Sequence, residues 1–206
     1  EALEGRASLL EDNQKIAFKY SLGGGYKKSD SWEPLGPAGY YDTFGPELSF
    51  GQALQGGLPG NIAIAKFTHS GTQIIDWTPE GSEAKTRNIY PDFIAFIQES
   101  IRELTEKGHQ VELAGIFYHL GENDMSFGPY RKNAAIRLRS IIGQSRLDLD
   151  RPSLKWFVSQ QAPTDDERVN NIDVTADLED ITAADRNLVH IKVFDLPGQE
   201  DRKSTR

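Results

Sequence analysis

Residues 111–124 read Val-Glu-Leu-Ala-Gly-Ile-Phe-Tyr-His-Leu-Gly-Glu-Asn-Asp. Val111 to Tyr118 is a largely apolar run of strand length, and Gly121 to Asp124 carries the Gly, Asn and Asp that favour a turn. On the N-terminal side, Pro91 to Lys107 repeats apolar residues at Phe93, Ile97, Ile101 and Leu104. That is one face of a helix, and Gly108 supplies its stop. On the C-terminal side, Tyr130 to Ile142 sets Ala134, Leu138 and Ile141 on one helical face. A buried strand between two amphipathic helices is the repeating unit of an α/β chain.

The same alternation runs outward. Ile16 to Leu22 reads as a strand closed by Gly23-Gly24-Gly25, which lacks the spacing and following helix of a dinucleotide site. Residues 23–45, dense in Gly, Pro, Tyr and Ser, read as a long surface loop. Pro46-Glu47-Leu48-Ser49-Phe50 opens a helix, with Pro at its start and Glu in its first turn; the helix should end near Gln55, before Gly56-Gly57. Ile62 to Phe67 and Leu154 to Val158 read as buried strands, Ile172 to Ala184 as a helix, and Leu188 to Phe194 as a strand. Nearly continuous apolar strands of this kind belong to a parallel sheet covered on both faces, so the fold expected is a three-layer α/β/α sandwich in a single domain, residues 1–206. Ligands bind such sheets beyond the carboxyl ends of the strands. Ser70-Gly71-Thr72, Gly121 to Asp124 and Gln160-Gln161-Ala162-Pro163 all fall there and are expected to converge.

Composition narrows the functional classes. The 206 residues hold 23 Lys and Arg against 31 Asp and Glu, a formal charge of −8. That balance argues against broad contact with nucleic acid or anionic membranes, which needs clustered cations. No stretch approaches about 18 consecutive apolar residues, the length of a membrane-spanning helix. Cysteine is absent, which removes disulfides, thiolate metal sites and cysteine nucleophiles. His69, His109 and His119 show no paired metal-ligand spacing, and no zinc site is expected. His109 reads as flanking a helix end. Arg131, Lys132, Arg137 and Arg139 read as a solvated basic face of one helix.

The chemistry-bearing feature is Asn123, a side-chain amide on the turn leaving a strand tip. An amide held there can donate to a developing oxyanion, the central requirement of acyl transfer. Three blocks then resemble, in order and spacing, the SGNH (GDSL-like) hydrolases, and more closely their carbohydrate-esterase branch of sialate O-acetylesterases and acetylxylan esterases. They are Gly45-Pro46-Glu47-Leu48-Ser49-Phe50-Gly51, then Lys66 through Gly71-Thr72 to Asp76-Trp77, then His119 to Asp124. Tyr130 and the Arg-bearing helix after it also fit that branch.

The resemblance implies a serine-dependent hydrolase acting on acetyl esters of a carbohydrate, with no metal or organic cofactor. It assigns Gly71 and Asn123 to the oxyanion hole and His119, Glu122 and Asp124 to support of the pocket. It places Thr72 and Trp77 against substrate, and it favours an extracellular or periplasmic setting. Trp32, Tyr40, Tyr41 and Trp77 have faces suited to stacking on sugar rings, and packing within loops accounts for each equally well. The branch usually writes its third block His-Gln-Gly-Glu; Leu120 stands at the Gln position here, so Asn123 is the amide available.

The nucleophile motif, Gly-Asp-Ser or Gly-Gln-Ser-Asn, does not occur in the sequence, nor does the C-terminal Asp-x-x-His. His190 follows Asp185 by five residues and lies inside a strand pattern. The expectation is therefore a middle portion of such an esterase, without the family's first strand and last helix. The alternatives are a catalytically incomplete relative that binds glycans through the same cleft, and an unrelated flavodoxin-like domain, in which Gly71 and Asn123 would lie far apart.

Overall fold

A computed structural model describes residues 15–23, 26–39, 45–83, 87–120, 122–125, 127–160 and 174–192. The chain divides into two compact units, residues 1–70 and 71–206.

The first unit is built on β1 (Ala17–Leu22). Its alternate residues Phe18, Tyr20 and Leu22, with Ile16 just before it, are buried together with Leu35, Ala38 and Leu48, and Ile62 and Ile64 pack against this cluster. Period-two burial is what a strand produces when one face meets a core. β4 (Ala63–Thr68) runs parallel to β1 over its whole length, from Ala17 opposite Ala63 to Leu22 opposite Thr68. The crossover between them carries α1 (Glu47–Gly57), which runs through the glycine pair expected to stop it and ends at Leu58. β4 is less buried than its composition implied, with Ala63, Ala65 and Thr68 exposed.

Residues 23–45 are not simply loop. β2 (Lys27–Lys28) and β3 (Glu33–Pro34) pair antiparallel with β1. Between them Ser29 is buried, its N–H donating to the Tyr20 carbonyl at 3.0 Å and its hydroxyl accepting from the Tyr20 N–H at 3.0 Å. Backbone groups of β1 that a solvated loop would leave to water are thereby satisfied. At the start of α1, the buried Glu47 carboxylate accepts from the Gly45 N–H at 2.9 Å and pairs with Lys66 Nζ at 3.0 Å.

The second unit carries a parallel sheet in the order β5 (Ile116–Leu120), β6 (Trp156–Gln160), β7 (Leu188–His190). Around it lie α2 (Tyr90–Glu106), α3 (Glu122–Met125), α4 (Gly128–Asp148) and α5 (Val174–Ala184). α2 matches the periodicity of its sequence. It buries Phe93, Ile94, Phe96 and Ile97, and it ends where Gly108 turns left-handed at φ +87°. α4 extends beyond the expected Ile142 to Asp148, and its tail is held by Arg146. That guanidinium bonds Asp185 Oδ2 and the carbonyls of Leu154 (3.0 Å) and Asn187 (3.3 Å).

Two expectations for the sheet need correction. The strand read from Val111 begins only at Ile116. The register sets Ile116 opposite Trp156, the first residue of β6, and the ladder starts there. One face is buried, with Trp156 and Val158 each 0% exposed, while on the other Phe117 is 50% and Val189 41% exposed. Phe117 stacks on Phe157 across the strands with centroids 4.5 Å apart. The basic face read on α4 is also revised, because Arg131 is only 3% exposed. Gln161 to Pro163 and the helix start at Ile172 lie outside the described residues, as do Tyr40 and Tyr41.

Candidate active site

The contacts that build the site lie in the second unit. Gly71 turns the chain at φ +70°. A side chain there would meet nothing within 4 Å, so it is the backbone conformation, not space, that calls for glycine. The four residues from Gly71 are then fixed one by one. Arg87 Nη1 donates to the Gly71 carbonyl at 2.9 Å, and Trp77 Nε1 to Thr72 Oγ1 at 3.1 Å. The Gln73 N–H donates to Asp76 Oδ2 at 2.9 Å, capping the short 3-10 helix Ile74–Trp77. The buried Ile74 N–H donates to both oxygens of Asp124, at 3.1 and 2.9 Å.

Asn123 meets the same turn. Its Nδ2 donates to the Thr72 carbonyl at 3.3 Å. A carbonyl only accepts, so the orientation of the amide is settled: the nitrogen faces Thr72. A primary amide has two N–H groups, and this contact uses one. Gly71, Thr72, Asn123 and Asp124 are thus brought together, as the loop-convergence argument expected for two of its three loops.

Asp124 is 2% exposed. Desolvation pushes its carboxyl up to about 6, against the lowering effects of the Ile74 N–H and Arg137 and with a further push from Asp76. Tyr118, half-buried on β5, has its phenol pushed above the ordinary tyrosine range by burial first, then by Asp124 and Asp76. Acidic groups therefore lie beneath the 71–74 turn. A negative charge developing above it must be met by direct donors, because the local field does not favour it.

Trp77 is not simply a free stacking surface. Its ring makes edge contacts with Phe93 (6.0 Å) and Tyr118 (6.2 Å), and these in turn pack on Trp156 at 6.3 and 6.1 Å. The four rings close a circuit that links the turn to α2 and to the strands β5 and β6.

Strand β5, expected to end at Tyr118, runs on to Leu120 and takes in His119, whose Nδ1 is 2.8 Å from Ser159 Oγ on β6. The two are direct register partners. Partial desolvation lowers the imidazole pKa. Glu122 is in the backbone of α3, and its side chain lies outside the described residues. Sequence reasoning missed Ser159 and Arg87. Ser159 is visible only once the β5–β6 register is known, and Arg87 only once the chain folds back on Gly71. Asp185, the acid nearest in sequence to His190, is committed to Arg146 and to the Asn187 N–H at 2.9 Å. Among the described residues no group of three or more His, Asp or Glu is placed to hold a metal ion.

The chain is thus mixed α/β with parallel strands, and its left-handed glycine turn meets a side-chain amide from the turn after the next strand. The chain belongs to the SASA family, carbohydrate esterase, sialic acid-specific acetylesterase, whose profile matches residues 26–205. None of the curated proteins compared with it matches. Among solved structures it is similar to an X-ray structure of a protein from Arabidopsis thaliana, with a TM-score of 0.62 and 19% identity over 92% of this chain and 72% of that one. At that identity the likeness shows the fold alone. Among the described residues no helix is long and apolar enough to cross a membrane.

Proposed function

We propose that this carbohydrate esterase is serine-dependent and removes acetyl groups from a sugar, and that Gly71 and Asn123 form its oxyanion hole. The carrying observation is the Asn123–Thr72 contact: one amide N–H anchors the side chain to the Gly71 turn and leaves the other to donate.

In this reading a serine oxygen adds to the acetyl carbonyl as its proton passes to a histidine base. The negative oxygen of the tetrahedral intermediate accepts from the Gly71 N–H and from Asn123. The bond to the sugar oxygen then breaks, the base returns the proton to that oxygen, and water hydrolyses the acetyl-serine to acetate. Asp124 holds the Ile74 N–H, and so the turn, in place. His119 and Glu122 support the pocket, and Thr72 and Trp77 line it. The chemistry needs only side chains and water. The family match runs through both compact units, which supports reading residues 1–206 as one hydrolase domain.

The test uses the natural full-length protein, treated with a fluorophosphonate and mapped by peptide mass, beside the turnover of Asn123→Ala on an acetylated sugar. One modified serine is expected, together with a fall in kcat of about 100- to 1,000-fold for the variant, the usual effect of losing one such donor. No adduct and no acetate release would overturn the esterase reading. The second reading is glycan binding without hydrolysis, and saturable sugar binding by the inert protein would establish it.

A further inference from the structure

α4 carries two stripes of opposite fate. Ala134, Leu138, Ile141 and Ser145 go into the core. On the other side Ile136, Ser140, Gly143 and Leu147 follow at spacings of four, three and four, the repeat of a seam between two helices. Ile136 is 71% exposed and Leu147 72%. Single exposed apolar residues are ordinary on a surface, but these two share one seam and bracket a pair of small residues.

Gly143 adds an independent signal. Glycine inside an exposed helix costs stability relative to alanine. A Cβ at Gly143 would meet nothing within 4 Å, so no packing among the described residues calls for its absence. A second helix crossing here would call for it: with Gly143 and Ser140 at the crossing, the two axes can approach to about 8 Å.

Self-complementarity identifies that second helix. When α4 is laid antiparallel on a copy of itself, with Ser140 against the partner's Gly143, Ile136 meets the partner's Leu147. The two-fold axis makes the same contact again at the other end. Large side chains then close over small ones from both sides. The flanking charges agree. Lys132 is exposed near the N-terminal end, and Asp148 and Asp150 are exposed at and just after the C-terminal end. Arg151, which follows, turns its guanidinium back onto the Asp150 carbonyl at 2.9 Å. Antiparallel pairing brings the basic end of each helix towards the acidic end of the other and opposes their dipoles, whereas parallel pairing sets like against like.

We propose that α4 is a self-association surface, through which two copies of this protein pair antiparallel by Ile136, Ser140, Gly143 and Leu147. This pairing is independent of the esterase reading, and no residue of the Gly71 turn takes part in it. One pair of helices is a smaller contact than the about 1,600 Å² of a standard interface, so the dimer forms reversibly as concentration rises.

The experiment is sedimentation velocity over a concentration series of the natural full-length protein, beside Ile136→Lys and Leu147→Lys. Wild type is expected to pass from monomer to dimer below about 0.1 mM. Each variant is expected to weaken association on the order of tenfold or more, as loss of a central apolar contact does. A wild type that stays monomeric overturns the proposal, whatever else then covers the stripe. A dimer that both variants leave intact overturns it too. Two double variants test the direction. In the antiparallel pair, Ile136→Lys with Leu147→Glu sets opposite charges face to face, and Ile136→Lys with Leu147→Lys sets like charges there. The first is expected to associate on the order of tenfold more tightly than the second, and equal association overturns the antiparallel register. Both side chains are exposed, so the variants should melt with wild type where all are monomeric. Were a lysine variant to melt early, Ile136→Ser and Leu147→Ser carry the same comparison.

Discussion

Replacing Asp124 by Asn separates two opposed effects on one buried carboxylate. Burial raises its pKa, while the Ile74 N–H and Arg137 lower it; the balance is upward, from 3.8 to about 6. A group whose folded pKa is raised binds its proton more tightly in the folded chain. The protein therefore gains stability as the pH falls through about 6, and the gain is complete below the unfolded value. That difference corresponds to about 3 kcal/mol in full, most of which appears between about pH 8 and pH 4. Asparagine does not titrate and has no such gain. The stability gap between wild type and Asp124→Asn should move in favour of wild type by about that amount on acidification, all other titrating groups being common to both. Urea unfolding at matched ionic strength across this range measures it. A gap that stays constant would show that burial does not dominate. A gap that moves the other way would show that the Ile74 N–H and Arg137 prevail.

Gly71→Ala introduces a residue that resists φ +70° into open space, so about 1 kcal/mol of stability should be lost without any clash. Its effect on kcat should exceed that cost, since the turn presents the N–H proposed for the oxyanion; equal losses in melting and turnover would contradict that role. His190 has both ring nitrogens buried without a hydrogen-bond partner among the described residues, and burial, then Lys192, lowers its pKa, with Glu179 partly opposing. The unfolded chain takes up that proton first, so stability should fall as the pH drops below about 6.5, by at most about 1.4 kcal/mol per pH unit. His190→Leu should remove that dependence, and thermal melts on either side of the window that change alike in both proteins would refute it.

How far the sequence predicted the fold differs from element to element. α2 was legible to within a residue because its apolar stripe and Gly108 are local signals. β5 was legible as a strand but not in its start, because a strand begins where its partner does, and the pairing of Ile116 with Trp156 is a long-range fact. The pairing of β2 and β3 with β1 was hidden for the same reason, in a segment whose composition speaks only of turns. Arg131 misled because a cation on a helix is usually solvated, and only packing puts it inside.

For the site, residue type and spacing alone singled out Gly71, Asn123 and Asp124: a turn glycine, an amide and an acid at strand tips are local chemistry written in the sequence. Only the tertiary structure decided that Asn123 meets Thr72 and that Asp124 holds the Ile74 N–H. The same holds for the other neighbours, since only the fold seats Trp77 among Phe93 and Tyr118, opposes His119 to Ser159 and lays Arg87 on Gly71. These partners lie from 16 to about 50 residues away along the chain. Local sequence sets what a turn can do, and which groups face it depends on loop closures and strand register that no short stretch specifies.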